Sequence, residues 1–360
     1  MNMHANTKGG AMYIREAVPE DNRELQQLQE QCPQGTSLIV SNVNTPDFFA
    51  RVKGYEDYKV YVACEEKRIL GSGACAMRDA IVNGKKRPVG YEFQYFTSPD
   101  HRRRNIATQL RWQIEEHLTQ RGAQLSYALI MEGNLPSMRL FEGEGFKSHR
   151  TLLMTVLAVR KEMDLLSEGK VRPIQFQDFV KVAELLNRTW QGRELYEPVS
   201  ADTLGEFIHR TPAFSQDSLL VLEDKGEILA CLGGWDWREV MKVTVKALSR
   251  KLKMTGWVLT TTRILPRFPK PGESMKQMML TLIGFKEPEH LAVLLRHMNN
   301  QALRSGIEQI FCVCQQDDVL LKSMKKFIRV NTALHLYTKP LAPDIFLSDE
   351  APVFVNGIDM

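Results

Sequence analysis

Apolar residues recur every fourth position from Ile106 through Leu110 and Ile114 to Leu118, with Arg111, Gln113, Glu115 and Glu116 on the other faces. That period predicts an amphipathic helix starting near Arg104 and pressed against a core along one side. Before it, residues 89–97 are rich in aromatic and β-branched side chains and read as a strand, which Ser98, Pro99 and Asp100 end with turn chemistry. Gly122 is suited to stop the helix, and residues 125–131 read as the next strand.

The pattern occurs twice. Arg15 is followed six positions later by Asp21, and Arg172 by Asp178, each pair standing before a helical pattern and offset by 157 residues (172 less 15). The hairpin pattern at 61–70 has a counterpart at 219–229, with a charged turn between apolar runs in both. Gly122 is matched by Gly306, each followed by a strand pattern, but here the offset is 184 (306 less 122). An insertion therefore falls between, most naturally in 237–275, which holds a basic stretch and the run LPRFPKPG. The expected organisation is a first domain over 12–160, a second over 168–340 and a tail over 341–360.

Composition limits the picture without changing it. At 360 residues, 43% hydrophobic and 25% charged, the chain has material for two cores. No apolar run approaches the roughly 18 residues of a membrane span, and the start MNMHANTKGG is polar, so no membrane partner and a cytoplasmic location are expected. The six cysteines are scattered without a CxxC pair, which predicts reduced thiols; Cys312 and Cys314 share one face of a strand and suit core packing better than metal ligation. No metal site is expected. The net charge of +4 is too small an excess to argue for nucleic acid, for which only the basic loop at 102–104 and VTVKALSRKLK at 243–253 offer any footing.

The helix start is where chemistry is expected. Its first-turn N–H groups have no helical acceptor, the dipole is positive there, and Arg102, Arg103 and Arg104 precede it, which together suit a phosphate or pyrophosphate. Residues Arg102-Arg103-Arg104-Asn105-Ile106-Ala107 resemble the pyrophosphate loop of the GCN5-related N-acetyltransferases, Gln/Arg-x-x-Gly-x-Gly/Ala. Asn105 stands where that family has Gly, and Asn tolerates a positive φ better than most residues. The run 134–146, NLPSMRLFEGEGF, resembles the family's later motif Asn-x-x-Ala-x-x-Leu-Tyr-x-x-x-Gly-Phe, with Phe141 in place of Tyr. The tandem layout is also similar to that of plant hookless-type acetyltransferase-like proteins.

The resemblance implies an α/β (α+β) fold in two copies, each a mixed, mostly antiparallel sheet with flanking helices and one splayed parallel strand pair. It implies acetyl-CoA in the V between those strands. The main chain of Tyr95, Phe96 and Thr97 would meet the pantetheine arm, and Arg102 to Ala107 with Thr108 the pyrophosphate. Asn134, Ser137 and Phe141 would line the cofactor, although Asn134 ahead of Pro136 also reads as a plain N-cap. Glu92, on one face with Gln94 and Phe96 by alternation, is the candidate base that frees an acceptor amine of its proton; a salt bridge or solvent exposure is the alternative. Because Phe141 has no proton to give, Tyr127 is the candidate acid for the leaving thiolate, or else a core aromatic.

The second copy lacks the cradle, reading Lys286-Glu-Pro-Glu-His290 at the corresponding helix start and Asp317-Asp318 near the place of Asn134. Its carboxylates would repel a pyrophosphate. The expected protein is an N-acetyltransferase working by direct attack of a small-molecule or peptide amine, or alternatively a CoA-binding regulatory module without turnover, monomeric or dimeric. The resemblance implies that residues 32–58 and the second domain shape the acceptor cleft; Asp47, Glu56 and Asp57 would suit a cationic amine there, but read better as a solvated surface.

Overall fold

The computed structural model describes residues 11–166, 169–261 and 269–360; the polar start and residues 265–268 of LPRFPKPG lie outside them. The first copy runs β1 (Met12–Glu16), α1 (Asn22–Gln31), β2 (Leu38–Asn44), β3 (Asp57–Glu65), β4 (Arg68–Val82), β5 (Lys85–Thr97), α2 (Ile106–Gln120), β6 (Leu125–Met131), α3 (Leu135–Gly143) and β7 (Lys147–Ala158). The second runs β8 (Lys170–Pro173), α4 (Phe179–Thr189), α5 (Ala201–Arg210), β9 (Leu219–Asp224), β10 (Glu227–Asp236), β11 (Met241–Leu248), α6 (Arg250–Thr261), β12 (Ser274–Met275), β13 (Gln277–Phe285), α7 (Pro288–Arg304), β14 (Gln309–Cys314) and β15 (Arg329–Pro340).

One twelve-stranded sheet, ordered β1-β3-β4-β5-β6-β15-β7-β14-β13-β10-β9-β8, passes through both copies. Within it β5·β6 and β13·β14 are parallel pairs and their neighbours are antiparallel. The two copies exchange their last strands: β15 pairs with β6 of the first copy, and β7 pairs with β14 of the second. A three-stranded sheet, β12-β11-β2, joins the insertion of the second copy to the first.

The Arg–Asp spacing that marked the repeat is a repeated turn. Arg15 grips Asp21 at 2.6 and 2.8 Å while Asp21 accepts the Val18 amide, and Arg172 grips Asp178 at 2.6 and 2.9 Å while Asp178 accepts the Gln175 amide. Both carboxyls are held below their usual range, first of all by the hydrogen bond from their arginine. The two long helices also end alike, at Gly122 (φ +82°) and Gly306 (φ +71°), where the next residue's N–H reaches back to Leu118 O and Ala302 O.

Helix α2 buries Ile106, Leu110, Ile114 and Leu118 against β3, β4 and β5, at roughly 1.5–3 kcal/mol per side chain. The opposite face of the first half-sheet packs on α1 through Leu25, Leu28, Phe93 and Phe96. All six cysteines are free and buried, with Cys312 and Cys314 in the second copy's core. Among the described residues no helix is long and apolar enough to cross a membrane.

Candidate active site at the parted strands

Strands β5 and β6 pair over only three rungs, Val89↔Leu125, Gly90↔Ser126 and Tyr91↔Tyr127, and then part. A bulge bends β5 away: Ser72 faces Phe96 and Ala74 faces Phe93, so Gln94 and Tyr95 share the space opposite Gly73. Glycine is required there, since a Cβ on Gly73 would lie 2.9 Å from the Tyr95 ring and one on Gly71 2.7 Å from Ile106.

The bulge corrects the alternation read from sequence. Glu92, Gln94 and Phe96 do not share a face, because one extra residue resets the pleat: Glu92 and Tyr95 come together on the α2 side, and Phe96 joins Phe93 on the α1 side. Glu92 is buried, with Oε2 accepting the Tyr95 hydroxyl at 2.6 Å and Oε1 the Ser126 hydroxyl at 2.7 Å. Burial raises its pKa above the usual carboxylate range, against the pull of those two donors.

A second polar cluster lies on the α1 side of the same apex. Tyr127 is buried, stacked on Tyr91 at 4.9 Å, and its hydroxyl accepts from Arg78 and donates to Asp359 Oδ2 at 3.3 Å. Burial pushes this phenol well above its usual pKa, Arg78 opposing. Arg78 holds Asp359 at 2.7 and 3.2 Å, with side-chain exposures of 5% and 0%. Tyr55 donates to Ile358 O and Asp359 Oδ1, and both Arg51 and Tyr91 donate to Asp359 O. Residues 357–359 are thus buried, with Gly357 seated so closely that a Cβ would lie 2.3 Å from Leu280 O. Nothing in the sequence signals that Arg78 and Asp359 meet.

At the open end of the V, Arg103 (φ +65°) and Asn105 (φ +56°) are both left-handed. Asn105 takes the conformation its residue type was expected to tolerate, and that conformation delays the helix from Arg104 to Ile106. The first intrahelical bond, Gln109 N–H to Asn105 O, leaves the amides of Ile106, Ala107 and Thr108 without helical partners. Arg102, Arg103 and Arg104 are exposed, Arg104 pairing with Glu65 at 2.9 Å. Asn134 caps α3, its Oδ1 accepting the Ser137 amide at 3.4 Å. Phe141 is buried edge-on against Tyr95 (5.5 Å) and Phe146 (4.8 Å). Residues 32–37 cross this end: Cys32 Sγ reaches Thr97 O at 3.3 Å, and Thr36 lies 3.4 Å from where a Cβ on Gly133 would be.

Gln94 was passed over as a functional residue. It has φ +55°, is 8% exposed, and both polar atoms of its amide are buried without a partner among the described residues. The matching bulge in β10·β13 holds Leu282 at φ +48°. An unpaired buried amide costs about 1–3 kcal/mol, which the second copy avoids. Gln94→Leu should therefore raise the thermal midpoint of the free protein while weakening whatever occupies the V. A lower midpoint with unchanged ligand affinity, read by calorimetry, would mark Gln94 as purely structural.

Residues 22–146 match the acetyltransferase (GNAT) family. No curated protein matches the sequence. Among solved structures, Saccharomyces cerevisiae N-myristoyltransferase with bound myristoyl-CoA is similar in fold at 12% identity and a TM-score of 0.64, over 96% of this chain and 89% of that one. A GCN5-related N-acetyltransferase from Sphaerobacter thermophilus is similar at 11% identity and a TM-score of 0.55, over 94% and 98% of the two chains. The family match falls on the copy that carries the cradle, and both structures are covered almost end to end. The match to the acetyltransferase (GNAT) family thus rests on residues 22–146, and the whole chain, with two copies in one sheet, shares the fold of these solved structures.

Proposed function

We propose that the chain transfers an acetyl group from acetyl-CoA to an amine by direct attack in a ternary complex. Residues 12–160 form the cofactor unit in this reading, 168–340 a partner without a cofactor site, and 341–360 a strap that ties them. The observation that carries the proposal is the V itself: two parallel strands that part after three rungs, the last a pair of tyrosines, with three helix amides lacking helical partners at the open end. Diphosphate pairs with the amides of Ile106, Ala107 and Thr108, while Arg102, Arg103, Arg104 and Asn105 wrap it. The main chain of Tyr95, Phe96 and Thr97 pairs with pantetheine, and Asn134, Ser137 and Phe141 bound the arm on the α3 side.

A short acyl group is favoured by the filling of the apex. Tyr55, Tyr91, Phe93 and Tyr127 are buried and in mutual ring contact there, leaving an acetyl group better matched than a long chain. On the α2 side Glu92 serves as the base, linked outward by Tyr95. Tyr95 rests on Phe141 and supplies the hydroxyl that Phe141 lacks. Tyr127, already engaged with Arg78 and Asp359, positions the acceptor side.

The same features favour a second reading on one point: Asp359 and its tyrosines close the α1 side of the apex, as they would in a CoA-binding module without turnover. Titration with acetyl-CoA followed by thiol release over a broad amine panel separates the two. Binding with turnover supports transfer, and binding without turnover supports the module. Asn105→Glu places a carboxylate beside the cradle and should weaken acetyl-CoA by about tenfold or more with folding intact. Unchanged affinity in calorimetry would move the cofactor elsewhere.

A further inference from the structure

Residues 241–272 hold eight Lys/Arg and no Asp/Glu, in a chain whose net charge is only +4. The rest of the protein is therefore slightly acidic, and this segment accounts for the chain's positive excess. Its described residues include β11 and α6. Lys242, Lys246, Arg250, Lys251 and Lys253 are exposed, and Met254 is 66% exposed among them. Lys246 pairs with Glu30 at 3.3 Å, whereas Lys242, Arg250, Lys251 and Lys253 take no ion-pair partner among the described residues.

The fold places this basic arm at the open end of the V. Strand β11 pairs with β2 from Met241↔Asn44 to Leu248↔Leu38, and the Ser249 amide donates to Ser37 O. Ser37 follows Thr36, which stands 3.4 Å from where a Cβ on Gly133 would be, just past the end of β6, and the same loop begins at Cys32, whose Sγ donates to Thr97 O at the end of β5. Arg250, Lys251 and Lys253 thus start one residue beyond the chain that bridges the two strand ends. They lie on the α1 side, away from the cradle at Ile106.

We propose that this arm recruits an acidic peptide segment whose amine is the acceptor. The inference rests on the reading of the V as a transfer site and names the substrate class for it. Lys242 and Lys246 lie on one face of β11 about 13 Å apart, and the α6 charges continue beyond them. An array of that length fits a chain of several carboxylates, not a single small anion. A peptide also brings an aliphatic amine, which the exocyclic amines of nucleic-acid bases do not match as nucleophiles. The positive rim repels polyamines and other purely cationic acceptors and steers acidic ones inward.

Fluorescence anisotropy of the full chain with bound acetyl-CoA tests this, using labelled peptides of about a dozen residues with one Lys among Asp/Glu or among Arg. The acidic peptide should bind at least about tenfold more tightly at low salt, weaken as salt rises, and lose about tenfold or more with R250E/K251E/K253E. Acetyl-CoA affinity of that variant should be unchanged. Equal binding of the two peptides, or an unaffected variant, overturns the proposal while leaving the cofactor site standing. Loss of acetyl-CoA affinity in the variant would make the arm part of the cofactor site and overturn it as well. Tight binding of duplex DNA or of phosphatidylserine vesicles without the acidic peptide would overturn the choice of partner. A wild-type chain that binds no acetyl-CoA removes the transfer site, and the acceptor assignment with it.

Discussion

Glu92→Gln is expected to lower kcat by about 10²-fold or more while leaving the affinity for acetyl-CoA within about twofold. An amine attacks only after losing its proton, and Glu92 directly follows the last paired rung of the V and accepts the Ser126 hydroxyl from the facing strand. Burial lifts its pKa, so in the wild type the rate should climb with pH through a value above the ordinary carboxylate range, and in the variant that limb should vanish. Stability gives an independent readout. A carboxyl whose folded pKa is raised stabilises the fold below its unfolded pKa and loses that contribution as pH rises through the folded pKa. Glu92→Gln should therefore gain stability relative to wild type toward neutral pH and show no gain in acid. An unaltered pH–rate limb would remove Glu92 as the base, and Tyr95→Phe, which deletes only the outward hydroxyl, would then be the informative comparison.

What the sequence made legible was local. The fourfold period of Ile106 to Leu118, the glycines that end both long helices, the paired Arg–Asp turns and the left-handed Asn105 depend on neighbours within a few residues, and each is a strong short-range preference. Two features depend on distant chain and left no such trace. The exchange of β7 and β15 changes no alternation pattern, because each strand keeps an apolar face whichever half-sheet receives it. The bulge at Gln94 was missed because alternation was carried unbroken through β5, although Gly71 and Gly73 on the facing strand mark a close approach. That one residue moved Phe96 to the α1 side and brought Tyr95 to Glu92, so the composition of the Glu92 cluster followed from it.

The strap gives the largest expected loss of stability. Asp359→Ala leaves the Arg78 guanidinium buried without its counter-charge and strips acceptors from Tyr55 and Tyr127, which should cost about 3–5 kcal/mol in denaturant titration. The cost comes from the stranded charge and not from the worth of the pair, so Arg78→Met with Asp359→Leu should recover much of it. Local effects should accompany the global one. With the Asp359 carboxylate contacts gone, residues 356–360 are held by fewer bonds, Thr281 to Asn356 and the close seat of Gly357 on Leu280 among what remains, so they should exchange amide hydrogens faster than β6 or β15. If the strap blocks acceptors, Asp359→Ala at permissive temperature should raise turnover with bulky amines; if it instead shapes the acceptor side, turnover should fall with every amine while acetyl-CoA still binds. Stability within about 0.5 kcal/mol of wild type would mean that the Arg78–Asp359 pair is not formed in solution.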